Sequence, residues 1–156
     1  MVVSAPHAGK KAGPVGSLIC WCYYLPDYWL GYWRKVWPLV ATCSAVQIFD
    51  RYYYDYYIDQ RRFGIHLPHW LVRLGGCLVP TPDVILCLGG NPEAIYARKP
   101  ETSLGEVTRQ TEALKNFCRR QKHAVWVDTT TSQEESIAAA KAAVLKAMST
   151  RFSQVL

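Results

Sequence analysis

The chain has 156 residues, half of them hydrophobic and 19% charged, which suffices for a globular domain with a buried core and excludes an intrinsically disordered chain. The net charge of +6 suits a phosphate-bearing ligand as well as an ordinary basic surface, and we expect no nucleic acid polymer as a partner. The six cysteines lack the paired spacing of a zinc site and the first segment lacks the apolar core of a secretory signal, which predicts a cytoplasmic protein with reduced thiols.

The first 17 residues are rich in Gly, Pro and Lys and show no periodicity, which predicts a flexible lead-in over 1–17. Residues 8–11, A-G-K-K, are not a phosphate-binding loop, because that motif requires G-x-x-x-x-G-K-S/T between a strand and a helix. We predict that residues 18–156 form a single α/β domain.

An aromatic segment follows, in which apolar side chains recur at helical spacing: Trp29, Trp33, Val36, Trp37 and Val40. The pattern predicts an amphipathic helix over about 27–37 that Pro38 kinks or ends. Insertion into a membrane is the alternative, but charges and a proline interrupt the apolar run before it reaches about 20 residues. We therefore favour a helix buried against a sheet and do not expect a membrane partner.

Three short apolar runs are typical of buried strands, over 45–49, 83–88 and 124–127. Helices are predicted between and after them, at 52–57, from Pro68 with Leu78 still on the apolar side, at 92–99, at 103–121 and from Ser132 onward. The glycines 75–76 and the prolines 80 and 82 are predicted to end the segment that Pro68 begins. The alternation of strands and helices predicts an α/β fold with a parallel sheet of about three strands.

An acid and a base, Asp50 and Arg51, come directly after the first predicted strand. At the carboxyl end of a parallel strand an Asp can hold hydrated Mg²⁺ and an Arg can grip a phosphate with two donors. The alternative is an Asp that caps the next helix beside a surface Arg. The local residues leave both interpretations open.

Residues 49–62, F-D-R-Y-Y-Y-D-Y-Y-I-D-Q-R-R, resemble the Asp-Arg-Tyr segment of the thymidylate kinase family, and the similarity extends from about Tyr28 to the C-terminus. The resemblance implies an incomplete three-layer P-loop kinase fold without its first strand. It also implies ATP as co-substrate, Mg²⁺, and a nucleoside monophosphate or similar phosphorylated acceptor. By the same resemblance Asp50 belongs to the metal and water network and Arg51 holds the acceptor phosphate. Arg61 or Arg62 adds charge near this pocket, unless the pair forms only a solvated turn.

Two later segments extend the resemblance. Residues 97–101, A-R-K-P-E, resemble the family's basic lid, with Arg98 and Lys99 closing over the transferring phosphate and Arg109 behind them. The alternative is a helix end stabilised by basic residues. Residues 127–132, V-D-T-T-T-S, resemble the turn that borders the adenine of ATP, which implies nucleotide contacts from Asp128 and Thr130. A capped loop is the alternative.

Two departures from the family pattern bear on activity. Where the family has L-D-x-x-P-E, residues 88–93 are L-G-G-N-P-E, so one contact to metal or water is lost. The phosphate-binding loop is absent as well, so the chain alone is expected to be inactive. We favour a kinase shortened at its N-terminus, with self-association through exposed sheet edges. A non-catalytic relative that binds a nucleotide or a protein is the second interpretation, and an aromatic-rich membrane-associated protein is the third.

Overall fold

The protein is mixed α/β, mostly helical, with one small parallel sheet of two strands. The computed structural model describes residues 13–43, 45–98, 100 and 102–153, and of Arg61, Arg62 and Phe152 it describes the backbone only. The described residues up to Thr81 form one compact unit, and those from Pro82 form another. The α/β class with a parallel sheet is thereby confirmed, and the single domain over 18–156 stays a prediction.

The first unit opens with a nearly continuous helical run. Its three parts are α1 (Pro14–Gly31), one π-helical turn (Tyr32–Val36) and α2 (Trp37–Thr42). The π-turn accommodates Pro38, which has no N–H to donate and whose ring crowds the carbonyl four residues earlier. The kink predicted at Pro38 is therefore a π-turn that precedes it, and the helical run continues beyond the proline.

The predicted lead-in is wrong for its last four residues, while residues 1–12 lie outside the described part of the chain. The helix α1 begins at Pro14, where the missing N–H of proline costs nothing because the first turn has no carbonyl partner for it. Ser17 is fully buried, and its Oγ accepts a hydrogen bond from the His66 backbone N–H at 3.1 Å. Of the helices within the described ranges, none is both long enough and apolar enough to cross a bilayer.

The rest of the first unit consists of short helical elements: α3 (Asp55–Ile58), a 3₁₀ turn (Gln60–Phe63) and α4 (His69–Leu78). Pro68, predicted to begin this helix, is the N-cap residue directly before it. Leu78 is in α4 as predicted, and the helix ends before Pro80, but Gly75 and Gly76 do not end it. Both lie inside α4, because the rings of Tyr53 and Tyr57 occupy the space that side chains at these positions would need.

Tyrosine side chains form the core of the first unit. Tyr53 is fully buried, and its hydroxyl accepts from Trp21 Nε1 at 2.8 Å and donates to the Val72 carbonyl at 2.8 Å. The Tyr56 ring lies 5.2 Å from the Tyr53 ring, centroid to centroid, and Tyr56 is also buried. The tyrosines of 52–57 could either stack on a nucleotide base or fill the core, and Tyr53 and Tyr56 fill the core.

The strand predicted at 45–49 is wrong. These residues have no regular structure, and Val46, Ile48 and Phe49 are exposed. A strand forms only when a neighbouring strand satisfies its backbone groups, and no described strand pairs with this segment. The sheet consequently has two described strands where about three were predicted.

The second unit is a β-α-α-β arrangement followed by a long helix: β1 (Ile85–Gly89), α5 (Pro92–Arg98), α6 (Leu104–Arg120), β2 (Ala124–Asp128) and α7 (Gln133–Ser153). The strands run parallel with Ile85 opposite Ala124 and Gly89 opposite Asp128, and α6 packs against both. The core includes Cys87, and burial raises the pKa of its thiol to about 12.

The predicted helix starts in this unit are confirmed by their caps. Asn91 Oδ1 accepts from the Glu93 N–H at 2.9 Å, and Ser103 Oγ accepts from the Glu106 N–H at 3.3 Å. Ser132 and Glu135 form a capping box: the Ser132 N–H donates to Glu135 Oε2 at 3.1 Å, and the Glu135 N–H donates to Ser132 Oγ at 3.2 Å. The Asn91 and Ser132 caps lie in the loops that directly follow β1 and β2.

Candidate functional site

The carboxyl ends of β1 and β2 meet at one edge of the sheet. Gly89 and Asp128 are opposite each other in the parallel register. The Thr129 backbone N–H and Oγ both donate to the Gly89 carbonyl, at 2.7 and 3.2 Å, so the loop after β2 is tied to the end of β1. In open parallel sheets this edge is where ligands bind.

The Asp128 carboxylate organises the loop after β2. Its Oδ1 accepts from the Thr130 hydroxyl at 2.5 Å and from the Thr130 backbone N–H at 2.8 Å. These two hydrogen bonds hold the pKa of Asp128 below its usual value, and the bond from the Thr130 hydroxyl has the larger effect. The positive charge of Lys115 lowers the pKa by a smaller amount. A depressed pKa stabilises the fold above the pKa of the unfolded carboxyl, and this contribution is lost as the pH falls through the folded value.

Removing the Thr130 hydroxyl should raise the pKa of Asp128 towards the ordinary value of an aspartate. We expect this in Thr130→Val, which keeps the shape of the side chain and the backbone donor, when the Asp128 Cγ resonance is followed by NMR as the pH falls. Thr131→Val is the matched control, because the Thr131 hydroxyl donates to the Asp128 backbone carbonyl and not to the carboxylate. An equal pKa in Thr130→Val and wild type would contradict the assignment.

Two glycines allow this edge to pack closely. A Cβ at Gly90 would lie 2.7 Å from Asp128 Oδ1 and 2.9 Å from Thr130 Oγ. The side chains of the loop after β2 can therefore pack against the Gly90 backbone only because this residue has no side chain. A Cβ at Gly89 would overlap the ring of Trp126. The thymidylate kinase family pattern has an aspartate at the position of Gly89. In this structure an aspartate side chain at position 89 would overlap the Trp126 ring, so the two cannot both be accommodated.

Arg98 reaches the same edge from the last turn of α5. Its Nη1 donates to the Thr129 carbonyl at 3.0 Å, which places the guanidinium beside the loop that Asp128 organises. A guanidinium has five N–H donors, so this bond leaves most of them for an anion. The structure thus brings together Arg98, Asp128 and Thr130, three of the residues predicted from the family resemblance.

The other basic site predictions have different surroundings. Arg109 forms a two-pronged salt bridge with Glu106 one turn earlier in α6, at 3.0 Å (Nε to Oε2) and 2.5 Å (Nη2 to Oε1). The same carboxylate accepts from Gln110 Nε2 at 3.0 Å. Arg109 is therefore held within its helix. Lys99 lies outside the described residues, as does the side chain of Arg62.

Asp50 and Arg51 belong to the first unit and follow the irregular segment 45–49. Both are exposed, and Arg51 Nη1 lies 3.5 Å from Asp55 Oδ2 in a long ion pair. In the described part of the chain, no three His, Cys, Asp or Glu side chains are grouped as a metal site would require. The contact between Asp50 and Mg²⁺ stays a prediction. A single carboxylate can suffice for this ion, because protein-bound Mg²⁺ usually keeps several of its waters.

Lys115 and Trp126 were not predicted from the sequence as parts of this region. Lys115 Nζ lies 5.5 Å from the Trp126 ring centroid, a cation–π contact on the sheet next to Gly89. The one sequence feature that indicates tight packing here is the pair of glycines at the end of a buried strand, because glycine in a strand indicates that another group approaches the backbone closely. Nothing local identifies that group as a tryptophan on the opposite strand.

Comparison of the chain with family models, with curated proteins and with solved structures finds no match.

Proposed function

We propose that the second unit binds phosphate groups of a nucleotide at the carboxyl ends of β1 and β2. The activity would be thymidylate-kinase-like, with transfer of a phosphoryl group from ATP to a nucleoside monophosphate or a similar acceptor. The observation that carries the proposal is the Arg98 guanidinium, held by the Thr129 carbonyl beside the Asp128–Thr130 loop at the ligand-binding edge of a parallel sheet.

The chemistry explains why an arginine suits this position. Phosphoryl transfer depends on positioning and on neutralising charge spread over the phosphate oxygens. The bond to Thr129 orients the fork of Arg98 before a ligand arrives, which reduces the entropy lost on binding. In the proposed site Lys99, the next residue along the chain, adds a second positive charge.

A second candidate function is nucleotide or protein binding without catalysis. Two arginines of the predicted site are already paired with acids, Arg51 with Asp55 and Arg109 with Glu106. The 156 residues also contain no G-x-x-x-x-G-K-S/T motif, which supplies the backbone donors for a triphosphate. Both observations favour a chain that binds a phosphorylated ligand without turning over ATP.

Substitution of Arg98 tests the site. We expect Arg98→Ala to weaken Mg-ATP binding by about tenfold to a hundredfold, the loss of a hydrogen bond to a charged partner, as measured by isothermal titration calorimetry. Arg120→Ala is the matched control, because it removes the same charge from the exposed C-terminal end of α6, and its affinity should stay within about twofold of wild type.

ADP formation from Mg-ATP and thymidylate that depends on Arg98 would support transfer by this chain itself and would contradict the inactivity expected from the absent phosphate-binding loop. Binding without ADP formation fits both candidate functions. If wild type does not bind thymidylate or Mg-ATP, or if Arg98→Ala and Arg120→Ala behave alike, the site proposed at the end of the sheet is wrong.

A further inference from the structure

The helical run of the first unit carries an apolar stripe on the side away from its core. Its members are 47% to 75% exposed and follow helical spacing: Val15, Ile19, Tyr23, Leu30 and Trp33. At about 100° per residue they lie opposite the buried Ser17 and Trp21. Monomeric proteins rarely leave apolar patches of this length uncovered, so the stripe indicates an interaction surface.

Two tryptophan rings in contact extend the stripe at its C-terminal end. The Trp33 and Trp37 ring centroids are 5.4 Å apart, and Trp37 is also exposed. Counted from Ile19 to Trp37, and taking about 200 Å² for a complete large side chain, the exposed parts of the stripe amount to roughly 570 Å² per chain. This is below the roughly 800 Å² that each partner of a standard interface buries and falls in the range of weaker pairs.

Two opposite charges border the stripe on the same flank. Asp27 and Arg34 lie two helical turns apart, one on each side of Leu30 along the axis. Neither has an ion-pair partner among the residues that the structure describes. When two copies of a helix pack antiparallel about a two-fold axis, the same flank of each helix lies on the same side of the interface, so residues of that flank in one copy are next to residues of that flank in the other. An axis near Leu30 would then set Asp27 of each copy against Arg34 of the other.

We propose that the stripe binds a second copy of this chain, in an antiparallel two-fold pair centred near Leu30. The same patch serves both copies, as two-fold symmetry requires, and the two Asp27–Arg34 pairs fix its register. An anionic lipid surface fits less well, because a helix that lies on such a surface has a strongly basic face. Here Asp27, Arg34 and Lys35 are the charged residues between Pro14 and Thr42.

Charge reversal tests the pairing and its direction. Sedimentation velocity of the full chain should show a dimer in the micromolar range. Asp27→Arg and Arg34→Asp should each weaken it about tenfold, because each reversal puts like charges together twice per dimer. The double variant with both changes should restore the wild-type dissociation constant, which a general loss of folding would not do. Helical circular dichroism checks each variant.

Apolar truncation supplies the second measurement. Trp33→Ala should shift the chain to monomer, whereas Leu145→Ala, on the exposed surface of α7, should leave the dimer unchanged. A wild-type monomer over this range overturns the proposal, and so does self-association that neither charge reversal affects, which would favour the predicted sheet edges. A monomer that sediments with phosphatidylserine-containing vesicles through Trp33 would assign the stripe to lipid instead.

Discussion

Gly75→Ala should destabilise the first unit by about 1–3 kcal/mol, the usual cost of forcing extra atoms into a packed core. A Cβ at this position would overlap the Tyr53 hydroxyl and the Trp21 ring. These two groups are buried and bonded to each other, so neither can move without breaking a hydrogen bond. The loss should appear although Ala is normally better than Gly inside a helix by about 0.5–1 kcal/mol.

Gly31→Ala is the matched control for this prediction. Gly31 is also helical, but no atom lies within 4 Å of a Cβ built there. The substitution should therefore leave the free energy of unfolding unchanged or raise it by up to about 1 kcal/mol. Urea unfolding followed by circular dichroism and tryptophan fluorescence measures both variants. Equal effects at the two positions would show that Gly75 is not a packing site.

The second unit was predicted well from the sequence because its signals are local. Asn91, Ser103 and Ser132 each bond to a backbone N–H two or three residues away, so the sequence pattern and the geometry of the helix start are the same information. The strands β1 and β2 are continuous apolar runs next to these caps, and they pair with each other. Local preference and tertiary packing agree here.

The first unit was predicted less well because its structure depends on distant contacts. The run 45–49 is apolar enough for a strand but has no neighbouring strand, and the glycines 75–76 are helix breakers that remain helical because tyrosine rings fill the space beside them. For the site, the resemblance gave Arg98 and the pair Asp128 and Thr130 in two separate segments, and their closeness comes from the bond between Arg98 and the Thr129 carbonyl. The overlap between Trp126 and a side chain at position 89 depends on strand register, which no local pattern shows.

Tyr53→Phe should be the most damaging removal of a single oxygen from the first unit. The Tyr53 hydroxyl links Trp21 Nε1 and the Val72 carbonyl, at 2.8 Å each, and Tyr53 is fully buried. Phe keeps the ring but leaves the buried Trp21 N–H without this partner, at about 1–3 kcal/mol for a donor left unsatisfied. The Val72 carbonyl loses one bond and keeps its place in the hydrogen bonding of α4. Tyr23→Phe removes the same oxygen from a ring that is 75% exposed, and it should change stability by less than about 0.5 kcal/mol.

A double-mutant cycle separates the hydrogen bond from the general effect of losing an oxygen. In a Trp21→Phe background the indole donor is already absent, so Tyr53→Phe should cost less than it does in wild type. The free energies of unfolding of the four proteins, from urea titrations at one pH, give the coupling between the two side chains. A cost for Tyr53→Phe that is the same in both backgrounds would mean that the two groups do not stabilise each other. The loss would then come from the Val72 carbonyl alone.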